Sequence, residues 1–319
     1  MARAGVDTAA SVAVTDRKPP WVLAPTDLGP GYLSVRRTMR RLELHTVCEE
    51  AGCPNISECW ADGTATFMIN GDRCTRSCGF CLVDTRHPGE LDPEEPDHVA
   101  EAVAAMGLAH AVVTAVARDD LPDGGAGAFA DVIDAVRARN PATAVEVLVP
   151  DFGGDPNPLA TVFAARPDVF NHNLETVARL QRAVRPQGSY ARSLAVLARA
   201  REAGLTTKSG LIVGMGEERA EVHAAMADLA NVGVEILTVG QYLRPTARHL
   251  PVARWWRPEE FDALAALGRD LGFAHVQASP LTRSSYHARH SAGAASAAGT
   301  RARPPSPAAA DGGRSPAGR

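Results

Sequence analysis

The chain has 319 residues, 45% of them apolar, and its 33 basic and 37 acidic side chains leave a formal net charge of −4. That apolar content suffices for one large core or two ordinary ones, and the near balance of charge gives no electrostatic case for nucleic acid or a membrane surface as the main partner. No secretory apolar core opens the chain and no stretch reaches the ~18 continuous apolar residues of a membrane span, so cytoplasm is the expected location.

Residues 1–17 are small and polar, a composition that predicts disorder. Residues 18–62 read as an N-terminal extension. Within it Arg36, Arg37, Arg40 and Arg41 crowd one short segment, either a solvated helix face or a basic dock for an acidic-faced protein. Cys48, Cys53 and Cys59 follow with the spacing C-x4-C-x5-C. The first strand candidate, Thr66–Asn70, then leads into Cys74, Cys78 and Cys81, spaced C-x3-C-x2-C with Phe80 before the last. Further strands are predicted at Ala111–Ala115, Ala144–Val149, Asp168–Asn171, Thr207–Val213 and Glu235–Gly240. Helical patterns lie between and after them, at 97–107, 126–139, 174–184, 190–203, 217–231 and 258–271. This alternation implies a parallel sheet. Its six or so units predict an α/β fold, a partial (β/α)6 TIM-type barrel over 63–280, with chemistry at the C-terminal ends of the strands. Residues 281–290 form a short C-terminal motif. Residues 291–319, almost wholly Ala, Gly, Pro, Ser and Arg, are expected to lack order.

The cysteines carry the functional argument. A disulfide scaffold spreads bridges through a small secreted domain, whereas here all six thiols fall between positions 48 and 81 of a long chain, which reads as metal binding. Three thiolates on the loop after a strand can hold three irons of a [4Fe-4S] cluster, where ordinary ferredoxin-type sites supply four. An open metal position is where a substrate or cofactor binds. The plainer alternative is a structural zinc site, which would want a fourth ligand, and His87 is the one close candidate. The upstream triplet is likewise one donor short, so two incomplete sites suggest two clusters, each with a special iron.

The C-x3-C-x2-C loop closely resembles the signature of the radical S-adenosylmethionine (SAM) superfamily. Longer blocks narrow the resemblance to lipoyl synthases: Cys48–Cys59 with its flanks, Arg118–Ala126, Val149–Phe152, Phe170–Thr176, Thr207–Gly210, Gly240–Leu243 and Arg283–His287. Together they span about Lys18 to Ala288. The resemblance implies two [4Fe-4S] clusters and SAM as cofactors, and a barrel of the radical SAM kind with N- and C-terminal extensions. It implies a sulfurtransferase that inserts two sulfur atoms at C6 and C8 of an octanoyl chain on a lysine of a lipoyl carrier domain, with the auxiliary cluster as sulfur donor. The carriers it implies are E2 subunits of dehydrogenase complexes and the glycine cleavage H protein, and the electron donor a flavodoxin or ferredoxin.

Residue by residue, Cys74, Cys78 and Cys81 match the catalytic cluster and Cys48, Cys53 and Cys59 the auxiliary one. Ser285, with Ser284 as alternative, matches the serine that ligates the auxiliary cluster's fourth iron; without the family, Ser-Ser is a polar turn. For SAM, strand-to-helix junctions offer Asn171, Asn173 and Glu175, then Arg118 and Asp119, and Lys208 opens a third strand; helix caps or ion pairs are the competing assignment for each. His172 and His287 are read as packing histidines. Ala115 and Met215 stand where the family usually has Ser and Leu. A biotin-synthase-like sulfur inserter or a methylthiotransferase would share the second triplet but not C-x4-C-x5-C with a terminal Arg-Ser-Ser-Tyr. A non-catalytic iron–sulfur or zinc protein would not cleave SAM.

Overall fold

Runs of residues buried on both faces define the sheet. In a computed structural model, which describes residues 1–8, 11–13, 15–25, 28–61, 65–286 and 288–299, eight strands form one open sheet in the order β1 to β8. They are β1 (His45–Thr46), β2 (Thr66–Ile69), β3 (His110–Ala115), β4 (Ala144–Leu148), β5 (Val169–Asn171), β6 (Thr207–Val213), β7 (Ile236–Gln241) and β8 (His275–Ala278). β1 is antiparallel to β2, and every later pairing is parallel. The near-continuous burial of β2, β3, β6 and β7 is what a parallel sheet covered on both faces requires.

The helices are α1 (Pro30–Arg41), α2 (Val47–Glu50), α3 (Ile56–Ala61), α4 (Glu95–Met106), α5 (Ala126–Arg139), α6 (Pro156–Ala164), α7 (Gln181–Val184), α8 (Tyr190–Glu202), α9 (Arg219–Asn231), α10 (Pro258–Asp270) and α11 (Ala288–Gly299). On α5, Phe129, Val132, Ile133 and Val136 are all fully buried at the i, i+3, i+4, i+7 spacing that turns one stripe to the sheet, each contributing about 1.5–3 kcal/mol. α4 stops at Gly107, whose left-handed φ of 62° a side chain would resist. The helix pattern at 174–184 is realised only as α7. Upstream of α7, Glu175 pairs as an isolated bridge with Leu211, so this segment extends the sheet instead of leaving it. Among the described residues no helix is long and apolar enough to cross a membrane.

Two expectations of disorder meet ordered residues. Val6 is buried against Gly216, the Val12 N–H bonds to the Val252 carbonyl at 2.8 Å, Arg179 donates to the Ala4 carbonyl, and Met1 and Ala4 pack on the core. α11 takes up 288–299. Its Ala-rich composition favours helix, and its small side chains let it touch both β3 and β8 across the inside of the curved sheet, with Ala295 against Val169 and Ile236. Residues 300–319 lie outside the described residues.

Below the strand ends, the interior holds a charged group. Lys208 Nζ sits 2.8 Å from Glu146 Oε1, His110 Nε2 lies 3.3 Å from Oε2, and Asn171 donates to Oε1 at 3.2 Å. Lys208 and Glu146 are both fully buried. Burial pushes the Glu146 carboxyl up, but Lys208 and His110 outweigh it and hold it below its usual range.

Candidate active site

The C-terminal halves of β2, β3, β4, β6 and β7 open on one cavity of about 350 Å³. Its wall includes Cys48, Cys53, Cys74, Cys78 and Cys81, and also Arg283, Ser284 and Ser285 from the C-terminal motif. Two segments far apart in sequence, each carrying donors, thus meet over the strand ends. Two hydrogen bonds tie them: Asn55 Nδ2 to the Leu281 carbonyl at 2.8 Å, and the Tyr286 hydroxyl to Glu58 Oε1 at 3.0 Å. Cys59 does not line the cavity; it lies on α3, its side chain against the core and its N–H on the Asn55 carbonyl at 2.9 Å. His287, the end of the terminal motif, lies outside the described residues.

The Cys74–Cys81 loop is fixed from several sides. The Cys74 N–H reaches the Asp84 carbonyl at 2.8 Å, Gly79 N–H the Val184 carbonyl at 2.8 Å, and Leu250 N–H the Gly79 carbonyl at 3.0 Å. His249 Nε2 is 2.8 Å from the Cys81 carbonyl oxygen. Burial pushes the Cys48 and Cys78 thiols up to about 11 and Cys81 to about 12, and raises Cys53 as well. These thiols stay protonated at neutral pH until a metal displaces the proton. Among the described residues no three His, Cys, Asp or Glu side chains close round a single ion. Two thiol-rich groups around one cavity, with a serine pair beside them, fit a pair of clusters.

The six residues expected at SAM divide. Asn173 and Glu175 line the cavity. Asn173 Nδ2 donates to Glu175 Oε1 at 3.1 Å, while its buried Oδ1 has no hydrogen-bond partner among the described residues, an acceptor left for a ligand. Glu175 adopts φ 70°, a strained conformation for a side-chain residue. Its N–H to Gly210 (2.9 Å) and its carbonyl from Ile212 (2.7 Å) hold it there. Arg118, Asp119, Asn171 and Lys208 do not line the cavity. Arg118 grips Asp120 and the Asn70 and Gly89 carbonyls, Asp119 binds Arg76, and Asn171 and Lys208 belong to the interior group around Glu146.

Sequence reasoning passed over Arg76 and Arg185, which line the cavity, and Asp151 behind them. Arg185 Nη1 donates to the Asn173 and Leu174 carbonyls at 3.0 and 3.2 Å. Its position after a run of helical character gave no local signal. His172, also in the wall, is held between the Val149 carbonyl (2.9 Å) and the Ser193 hydroxyl (2.9 Å), as a packing histidine would be. Burial, then Arg185, lowers it to about 4. A folded value below the unfolded one of about 6.5 means the unfolded chain binds the proton more tightly. Stability is therefore full above pH 6.5 and declines by about 3 kcal/mol as pH falls to 4. Urea unfolding midpoints across that range should show this decline flattened in His172→Gln relative to the parent.

Two family models match the chain: the radical SAM superfamily over residues 68–229, and the N-terminal domain of lipoyl synthase of the radical SAM family over residues 9–53. A lipoyl synthase of Rubrobacter xylanophilus is 59% identical over 273 residues, 85% of this chain and 85% of that protein. One of Mycobacterium avium is 56% identical over 273 residues, 86% of this chain and 89% of that protein. Among solved structures, methylornithine synthase superposes with a TM-score of 0.52 at 13% identity over 66% of this chain and 70% of that one. The [FeFe]-hydrogenase maturase HydG gives 0.53 at 18% over 72% and 54%. At those identities the two structures speak for the fold alone.

Proposed function

The chain belongs to the lipoyl synthase family of radical SAM enzymes, and from that premise we propose that it inserts two sulfur atoms, at C6 and C8, into an octanoyl chain borne on a lysine of a lipoyl carrier domain. Those carbons are unactivated, and side-chain bases, which titrate between about 4 and 13, are far too weak to deprotonate them. When bound, SAM with the catalytic [4Fe-4S] cluster supplies a hydrogen-abstracting radical, and the auxiliary [4Fe-4S] cluster supplies sulfur. Cys74, Cys78 and Cys81 would hold the first cluster, and Cys48, Cys53, Cys59 and Ser285 the second. Glu175 and the unpartnered Asn173 Oδ1 offer a carboxylate and a carbonyl to the ammonium of SAM. Val47, Met68, Leu148, Ile212 and Tyr242 in the same wall would take the alkyl chain and keep water from it.

The observation that carries this reading is the convergence of five cysteines and Ser285 on one cavity. Reconstituted anaerobically with SAM, a reductant and an octanoyl-lysyl peptide, the protein should form 5′-deoxyadenosine and add two sulfurs by mass spectrometry. No deoxyadenosine from a cluster-loaded protein would end the proposal. Ser285→Ala should keep deoxyadenosine formation and lose sulfur insertion at least tenfold, about 1.4 kcal/mol; full double insertion would remove Ser285 from the ligand set.

E2 subunits and the glycine cleavage H protein are the proposed carriers, and flavodoxin or ferredoxin the electron donor, in the cytoplasm. Docking on α1 rests on fewer charges than its four arginines suggest. Arg40 pairs with Glu49 at 3.1 Å and Arg41 with Glu101 at 2.7 Å, whereas Arg36 and Arg37 have no acidic partner among the described residues. Arg36→Glu with Arg37→Glu should raise KM for a whole octanoylated carrier severalfold and leave KM for a short peptide unchanged. Equal KM values for the carrier before and after would exclude this face.

A further inference from the structure

Arg76 lies between two proposed cluster ligands, Cys74 and Cys78, yet it is spent on neighbours. Its side chain is 8% exposed. Nε and Nη2 form a fork on Asp119 at 2.8 and 2.7 Å, and Nη1 reaches Asp151 Oδ1 at 2.7 Å. Asp119 follows β3 and Asp151 follows β4, so one planar guanidinium pins the cysteine loop to two strand ends. Thr75 adds to the β3 side: its N–H and hydroxyl meet the Ala117 carbonyl at 3.0 and 2.9 Å, and its hydroxyl meets Asp119 at 3.0 Å.

The clamp has a direct effect on sulfur. Two backbone N–H groups, those of Arg76 and Ala117, point at Cys74 Sγ, at 3.4 and 3.3 Å. One belongs to the clamped arginine and the other to the loop it is clamped against. Hydrogen bonds to cluster sulfurs stabilise the more negative, reduced state and raise the potential.

Resting on the proposed function of this site, we infer that Arg76 is a positioning residue that sets the reduction potential of the cluster on Cys74, Cys78 and Cys81 by holding two backbone donors on the Cys74 sulfur. The fork makes the role specific to arginine, since a lysine ammonium cannot bridge Asp119 and Asp151 in the same plane.

The test is a dithionite redox titration of the full, two-cluster protein, followed by EPR. The catalytic cluster is identified as the signal that added SAM perturbs, and iron and sulfide are assayed alongside. Arg76→Lys keeps the charge and loses the fork. Asp119→Asn removes a negative charge, which by Coulomb attraction alone would raise the potential. The clamp requires the opposite: both variants load iron fully, and both shift the potential down by an amount that makes reduction about tenfold less favourable, about 59 mV for one electron. An unchanged potential, or an upward shift in Asp119→Asn, overturns the inference. If Arg76→Lys fails to load, Asp119→Asn decides alone, because Asp119 is the exposed arm at 44%. If neither variant loads, the clamp serves assembly and the inference falls. A parent protein with no four-iron signal would sink the proposed function itself.

Discussion

Replacing Gly240 by alanine is expected to separate the two halves of the reaction. A Cβ there would stand 2.0 Å from the Thr282 carbonyl oxygen and 3.1 Å from Arg283 Nη1. The first contact is with backbone, so no rotamer relieves it. β7 is laddered on both sides, Ile212 opposite Gly240 and Val239 opposite Ala278, so the 280–286 segment must move. Its attachments are the Pro280 carbonyl to Gln241 N–H (3.2 Å), Leu281 to Asn55 and Tyr286 to Glu58. Overpacking of this kind costs about 1–3 kcal/mol, and a displacement of about 1 Å at a reacting group costs on the order of a hundredfold in rate. Sulfur insertion should fall by about that factor while 5′-deoxyadenosine formation stays within severalfold of the parent. Equal loss of both products would show that β7 had yielded and carried the Cys74–Cys81 loop with it.

The second large effect is on stability. Lys208→Met should destabilise the fold by about 3–5 kcal/mol, because it leaves the Glu146 carboxylate buried without its cation. His110 and Asn171 remain, but at 3.3 and 3.2 Å they are weaker partners than the ammonium at 2.8 Å. Lys208→Met with Glu146→Gln removes both charges and should recover most of the loss. Chemical denaturation of the single and double variants measures this. KM for SAM in the folded double variant should match the parent, since Lys208 lies outside the cavity wall.

Much of this was legible in the chain itself. The strands from β2 to β7 fell within a residue or so of their predicted bounds because each is a run of residues buried on both faces, set off by turn residues. β8 was not: all four of its residues are half-buried, so no run stood out. α6 escaped as well, although the Asp155 side chain accepts the Asn157 N–H and Pro156 takes the first turn, where proline belongs. The cysteine spacing pointed to the family because such a motif is short and contiguous in sequence. The polar residues at strand ends did not sort themselves, since Asn171 closes β5 and Asn173 lies only two residues beyond it. The first ended beneath the strand ends on Glu146 and the second in the cavity, and only the sheet register decides that. Arg76 was passed over for a related reason: its partners, Asp119 and Asp151, arrive from later strands.

The bonds from Asn55 to Leu281 and from Glu58 to Tyr286 join residues 226 and 228 positions apart. At roughly 5–20 residues per second of synthesis, the serine side of the cavity leaves the ribosome about ten to forty-five seconds after Cys48, Cys53 and Cys59. The loop at Cys74–Cys81 waits less long, for His249 and Leu250, which bond to it. A chain not yet extended to residue 281 would therefore hold all six thiols but neither of the two bonds that draw the terminal segment over them.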